Sequence, residues 1–145
     1  MATVSISVRG LDKVQSTLAR VQDLPKSALP QVLTEAGAIL LNRIRTRFLA
    51  EQDPNGLKWP KSAAARERAL GKGGGTLFDS GRLFRSISLK RRGPLERVIF
   101  TDVPYAAAHQ FGRGQKQRIF LGFSDGDITV LERLVQVRVD EALRG

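Results

Sequence analysis

Leu33, Ala36, Leu40, Ile44 and Phe48 recur at intervals of three and four residues, and this stripe limits the fold more than any other feature of the chain. A spacing of 3.6 held over this many turns predicts an amphipathic helix across about 29–50. Pro30 suits its first turn, where a missing N–H costs little. Arg43, Arg45 and Arg47 fall largely on its other faces. A helix of that length is roughly 30 Å long, and its apolar side needs a second layer to cover it.

The rest of the chain supplies short pieces for that layer. Residues 3–9 alternate apolar and polar side chains, the mark of a half-buried strand, and Gly10 ends it. Leu11, Val14, Leu18 and Val21 predict a short helix stopping near Leu24, ahead of Pro25. Residues 52–76 form a long excursion. It opens on the turn signal Asp53-Pro54-Asn55-Gly56, carries a possible short helix over 62–70, and closes on a glycine run at 71–75. A loop this long predicts flexibility in the free subunit and ordering on assembly. Asp79 or Ser80 is placed to cap a helical turn over 82–85. Ile87 and Leu89 alternate with polar residues, Val98-Ile99-Phe100 forms a second apolar run, and Arg92-Gly93-Pro94 between them predicts a hairpin. A short helix over 105–110 should end at Gly112, and 119–123 reads as a last short strand. Ser124 or Asp125 then caps a closing helix. Its apolar face holds Ile128, Leu131, Val135 and Ala142, flanked by Val130, Leu134 and Val137. So wide a face suits a subunit contact.

Composition narrows the chemistry. The 145 residues make one domain, and 41% apolar residues with few aromatics predict a thin core of Leu, Val and Ile. There is no cysteine and only one histidine, which removes disulfides and all but excludes a zinc site. No apolar run approaches a membrane span, and 3–9 lacks the regions of a signal peptide, so a soluble cytoplasmic product without membrane contact is expected. Lys and Arg number 24 against 14 Asp and Glu, a net charge of +10. Residues 58–92 alone carry +8 of it, through Lys58, Lys61, Arg66, Arg68, Lys72, Arg82, Arg85, Lys90, Arg91 and Arg92. Such a field favours an acidic partner, phosphate or carboxylate. The plain alternative is a solvated charged face.

Each candidate site has a structural reading beside the functional one. His109 has no cysteine partner, and its nearest sequence carboxylates, Asp102 and Asp125, lie on either side of it. A structural histidine bonded to backbone or to Gln110 is expected rather than a general base. Asp79-Ser80-Gly81 lacks the Gly-x-Ser-x-Gly elbow, and a capping role fits it better. Residues 71–76 miss the P-loop spacing and read as a tether. Trp59, the sole tryptophan, either plugs the domain's own core or anchors a neighbouring subunit. The basic stretch lacks a zinc finger, a helix-turn-helix and a basic heptad helix, which weakens a DNA-binding regulator or compaction factor as the alternative function. No catalytic residue, metal ligand or cofactor is expected.

Four motifs in order resemble the bacteriophage virion-morphogenesis or tail-completion family of Mu-like and related tailed phages. They are Gly56 with Trp59; Leu77 with Ser80-Gly81, Leu83 and Ser86-Ile87; Tyr105-Ala106 with His109-Gln110-Phe111-Gly112; and Arg118 with Phe120-Leu121-Gly122-Phe123-Ser124. The family's Ile-Pro-Ala before that arginine is replaced by Gln115-Lys116-Gln117. The resemblance implies an α+β fold, with a small, largely antiparallel sheet packed against long α-helices, which agrees with the elements read above. It implies a non-enzymatic virion protein of the neck or tail end, assembled in the host bacterial cytoplasm. Such proteins complete the tail or join it to the head as a ring, commonly a hexamer. The implied partners are copies of itself, neighbouring neck and tail-tube proteins, and packaged DNA in the lumen. Trp59, Lys58, Lys61, Arg66, Arg68, Lys72, Arg82 and Arg85 are the candidate assembly residues. Gly56, Ser80, Gly81, Tyr105, His109, Phe111, Gly112, Phe120, Leu121 and Gly122 carry the structural motifs.

Overall fold

The computed structural model of the chain describes residues 4–9, 28–61, 81–114 and 116–144. The expected helix after Gly10, the expected helix at 62–70 and the glycine run at 71–75 lie outside them. The long stripe forms helix α1, Leu29–Leu49, with Pro30 in its first turn. Its apolar positions are buried, joined by Val32 and Gly37. A Cβ on Gly37 would stand 2.9 Å from Leu89 Cδ1, so glycine there lets the sheet approach the helix axis.

Strand β1, Val4–Arg9, precedes α1. A five-residue helix α2, Arg82–Ser86, leads into β2, Ser88–Gly93, and β3, Glu96–Thr101. The sheet order is β1-β3-β2, and both pairings are antiparallel, with Ile6 and Leu89 opposite Ile99 on either side. Arg97, Ile99 and Thr101 turn toward the α-helical side. Arg97 reaches α1, Ile99 enters the core, and Thr101 meets Ser86 at the end of α2. The fold is therefore α+β, as expected. The hairpin turns at Pro94-Leu95, slightly later than predicted, and a bulge at 91–93 absorbs the shift.

Helix α3, Ala106–Phe111, follows the sheet and ends at Gly112, whose φ of 69° is the left-handed conformation a helix C-terminus favours. Helix α4, Asp125–Arg144, closes the chain. It runs antiparallel to α1, because Asp127 in its first turn meets Arg43 and Arg47 while Arg138 near its end meets Glu35. Leu131, Val135 and Val139 form its buried line; Val137, expected beside the apolar face, is 49% exposed, and Ala142 is exposed.

One expectation fails on residues that are described. Residues 119–123 form no strand. Helix α2 is preceded by Gly81 at φ 72°, and Asp79 and Ser80, expected to cap it, lie outside the described residues. The described head of the 52–76 excursion is a hairpin, in which Gln52 bridges Lys58 and the Asp53 carboxylate accepts the N–H groups of Asn55 and Leu57.

Candidate functional site

The site begins where α1 ends. The helix's last carbonyls are taken up by Ala50, Glu51 and Gln52, with Glu51 at φ 58° in a place usually left to glycine. Lys58 donates its Nζ to the Ala50 carbonyl at 2.8 Å, so this candidate assembly lysine also serves as a helix terminator. Gly56, at φ 86°, completes the turn. The chain then delivers Trp59 inward, 6% exposed, its ring 5.2 Å edge-on from Phe48. Its Nε1 donates to the Ile119 carbonyl at 2.9 Å. Of the two roles read from sequence, the structure supplies the core plug, because the indole faces its own domain.

Phe48 also touches Phe84 of α2 and Phe120. Around these rings, residues 118–122 run as a strap whose backbone is met by side chains. The Gln110 Oε1 accepts the N–H groups of Phe120 and Leu121, each at 3.1 Å, and its Nε2 donates to the Leu121 carbonyl at 2.7 Å. One carboxamide thus stands in for a neighbouring strand, which is why an apolar run that reads as a strand needs no ladder. Phe120 and Leu121 are both buried. Arg47 Nη2 donates to the Gly122 carbonyl at 3.0 Å, and a Cβ on Gly122 would lie 2.9 Å from Pro54 Cγ.

Two arginines act as internal staples. Arg118, 4% exposed, donates from Nε to the Pro60 carbonyl at 2.7 Å, and its backbone N–H bonds the His109 carbonyl. Arg97, 2% exposed, donates to the carbonyls of Pro30, Gly93 and Glu96 and to Thr34 Oγ1, pinning the hairpin on the start of α1. Burial lowers both guanidinium pKa values, with Arg91 adding to the effect at Arg97. At the other end of the strap, Asp127 is fully buried and receives Arg43 Nε at 2.5 Å, Arg47 Nη1 at 2.7 Å and the Ser124 N–H. Ser124 Oγ in turn accepts the Asp127 N–H, a reciprocal box that starts α4. Burial pushes the Asp127 carboxyl up, but the bonds from Arg43, Arg47 and Ser124, with the charge of Arg47, hold it below the usual carboxylate value.

His109 is placed edge-on to Tyr105, and its buried Nδ1 has no hydrogen-bond partner among the described residues, so the expected bond to backbone or Gln110 is not seen at that nitrogen. Burial, then the charge of Arg118, lowers its pKa and keeps the ring neutral at pH 7. Phe111 is 55% exposed and Tyr105 41%. Lys61, Arg82 and Arg85 are exposed; Arg66, Arg68, Lys72 and Ser80 lie outside the described residues. Sequence reasoning left out of its site the residues that tie it together: Gln110, Arg118 and the Arg43–Asp127–Arg47 clamp. The signal for Asp127 was the Ser-x-x-Asp spacing from Ser124; for Gln110 it was a side chain able to donate and accept at once.

The motifs that were separate in sequence are therefore one junction, where the 52–60 hairpin, α2, α3 and the strap meet the end of α1. The model of the phage virion morphogenesis family matches residues 10–140, nearly the whole chain. The chain belongs to that family. No curated protein and no solved structure matches it. Membership assigns this virion-morphogenesis protein a structural or assembly role in a phage particle. Among the described residues no helix is long and apolar enough to cross a membrane, and no group of three His, Cys, Asp or Glu side chains is arranged for a metal.

Proposed function

We propose that this virion-morphogenesis protein is a non-catalytic ring subunit of the neck or tail end, closing as a hexamer that completes the tail or joins it to the head. The observation that carries this reading is the sheet order. Strands β1 and β2 lie on opposite edges of the three-stranded sheet and run parallel to each other, both being antiparallel to β3. Such a sheet continues head-to-tail, β2 of one copy beside β1 of the next, and a repeated head-to-tail contact closes into a ring. Lys90, Arg91 and Arg92 on the β2 edge discourage unselective edge pairing before assembly. The polar atoms of the junction support a non-enzymatic reading, since Gln110, Trp59 and Arg118 are engaged with backbone groups.

The external partners are acidic surfaces of neighbouring neck and tail-tube proteins, met by the basic stretch, with DNA in the lumen as a second contact. Native mass spectrometry and electron microscopy of the purified protein test the ring. A closed hexamer is expected, and a chain that stays monomeric both in solution and in the particle overturns the reading. Charge reversal at Arg66, Arg68 and Lys72 should leave heads and tails unjoined; normal joining would remove the basic stretch from the contact.

A further inference from the structure

A second basic locus lies away from the β2 edge, and sequence alone divides it between two distant segments. Arg118 gathers it. Its Nε holds the Pro60 carbonyl, one residue before Lys61, its Nη1 lies 3.4 Å from the Lys116 carbonyl, and its N–H is bonded to α3 at His109. Lys61, Arg113 and Lys116 are exposed beside these contacts. Residues 112–123 contain no Asp or Glu, and no ion pair among the described residues engages these cations. Beside them Phe111 is 55% exposed, with the Arg113 guanidinium over its ring at 5.3 Å.

We propose that this surface binds a single-stranded nucleic acid. Lys61, Arg113 and Lys116 meet successive phosphates, Phe111 stacks under a base, and Arg118 is the positioning residue that holds the segments together. A row of cations without carboxylates suits a polyanion, and an aromatic face beside it selects unpaired bases over acidic peptide. A duplex hides its base faces from such a ring. The proposal does not depend on ring formation.

Fluorescence anisotropy of the full chain with a labelled single-stranded oligonucleotide tests it, with the matched duplex and polyglutamate as competitors. Affinity should fall steeply with salt, and R113E/K116E should weaken it by at least about tenfold with a shallower salt slope. Phe111→Ala should cost about tenfold toward the single strand and little toward the duplex. R133E/R144E, an equal charge change at exposed positions of α4, serves as the control and should cost far less. Equal losses in the two double variants, tighter duplex binding, or equal competition by polyglutamate would overturn the proposal. Circular dichroism of each surface variant checks the fold, and native mass checks the oligomer, so failure here is separable from failure of the ring.

Discussion

Strand β3 and the 118–122 strap carry nearly the same apolar core, Val98-Ile99-Phe100 against Ile119-Phe120-Leu121, yet only β3 is a strand. Strand β3 has β1 and β2 on its two sides, so its N–H and C=O groups are met by other backbones. The strap has Gln110, Trp59 and Arg47 instead. An apolar run needs burial and satisfied polar groups, and either a ladder or well-placed side chains can provide both. The two solutions fail differently. A ladder is lost with the whole sheet, whereas a strap held by a few side chains is open to single substitutions.

The largest effect should come from β3. Ile99→Ala removes a fully buried side chain and should cost about 4 kcal/mol in chemical denaturation. Next, Asp127→Ala leaves Arg43 and Arg47 without their carboxylate and undoes the start of α4, with an expected loss of about 3 kcal/mol. The same group sets an acid limit. Because its folded pKa is lowered, its stabilisation is complete above the ordinary Asp value of about 3.9 and is lost as pH falls through the lower folded value. Asp127→Ala should flatten that part of an acid-unfolding curve, and an unchanged curve would count against the clamp.

Gln110→Ala sharpens the contrast most directly. It should cost about 2 kcal/mol, with faster amide exchange at Phe120 and Leu121 while β3 amides keep their protection. Equal loss in β3 would show that strap and sheet open as one unit. Gly122→Ala, which drives a methyl toward Pro54, should cost about 1–2 kcal/mol by crowding the strap against the hairpin. Arg91→Ser on the exposed β2 edge should change monomer stability by less than about 0.5 kcal/mol, so a larger effect on assembly would support the proposed contact between copies.

The long helix, the hairpin strands and the short helix ended by Gly112 were legible because each depends on local periodicity or local turn chemistry. The strap was misread for the same reason: its pattern fits a strand, and its partners lie about ten residues back at Gln110 and sixty back at Trp59. Trp59 was left between core and interface because its loop is polar on both sides, and only Phe48 and the Ile119 carbonyl decide where the indole goes. The candidate assembly cations divide in the same way. Lys58 is exposed and still bound to a helix end, which charge counting cannot foresee.

By itself, the sequence determined the elements, the excess of positive charge and the order of the four motifs, since these follow from residue spacing along the chain. Tertiary structure alone decided that the motifs form one junction, that Arg97 and Arg118 are staples rather than surface charge, and that Asp127 is held by two arginines. Those are contacts between residues far apart in the chain, and the physical reason they escape a linear reading is that burial and hydrogen-bond satisfaction are settled between elements, not within them.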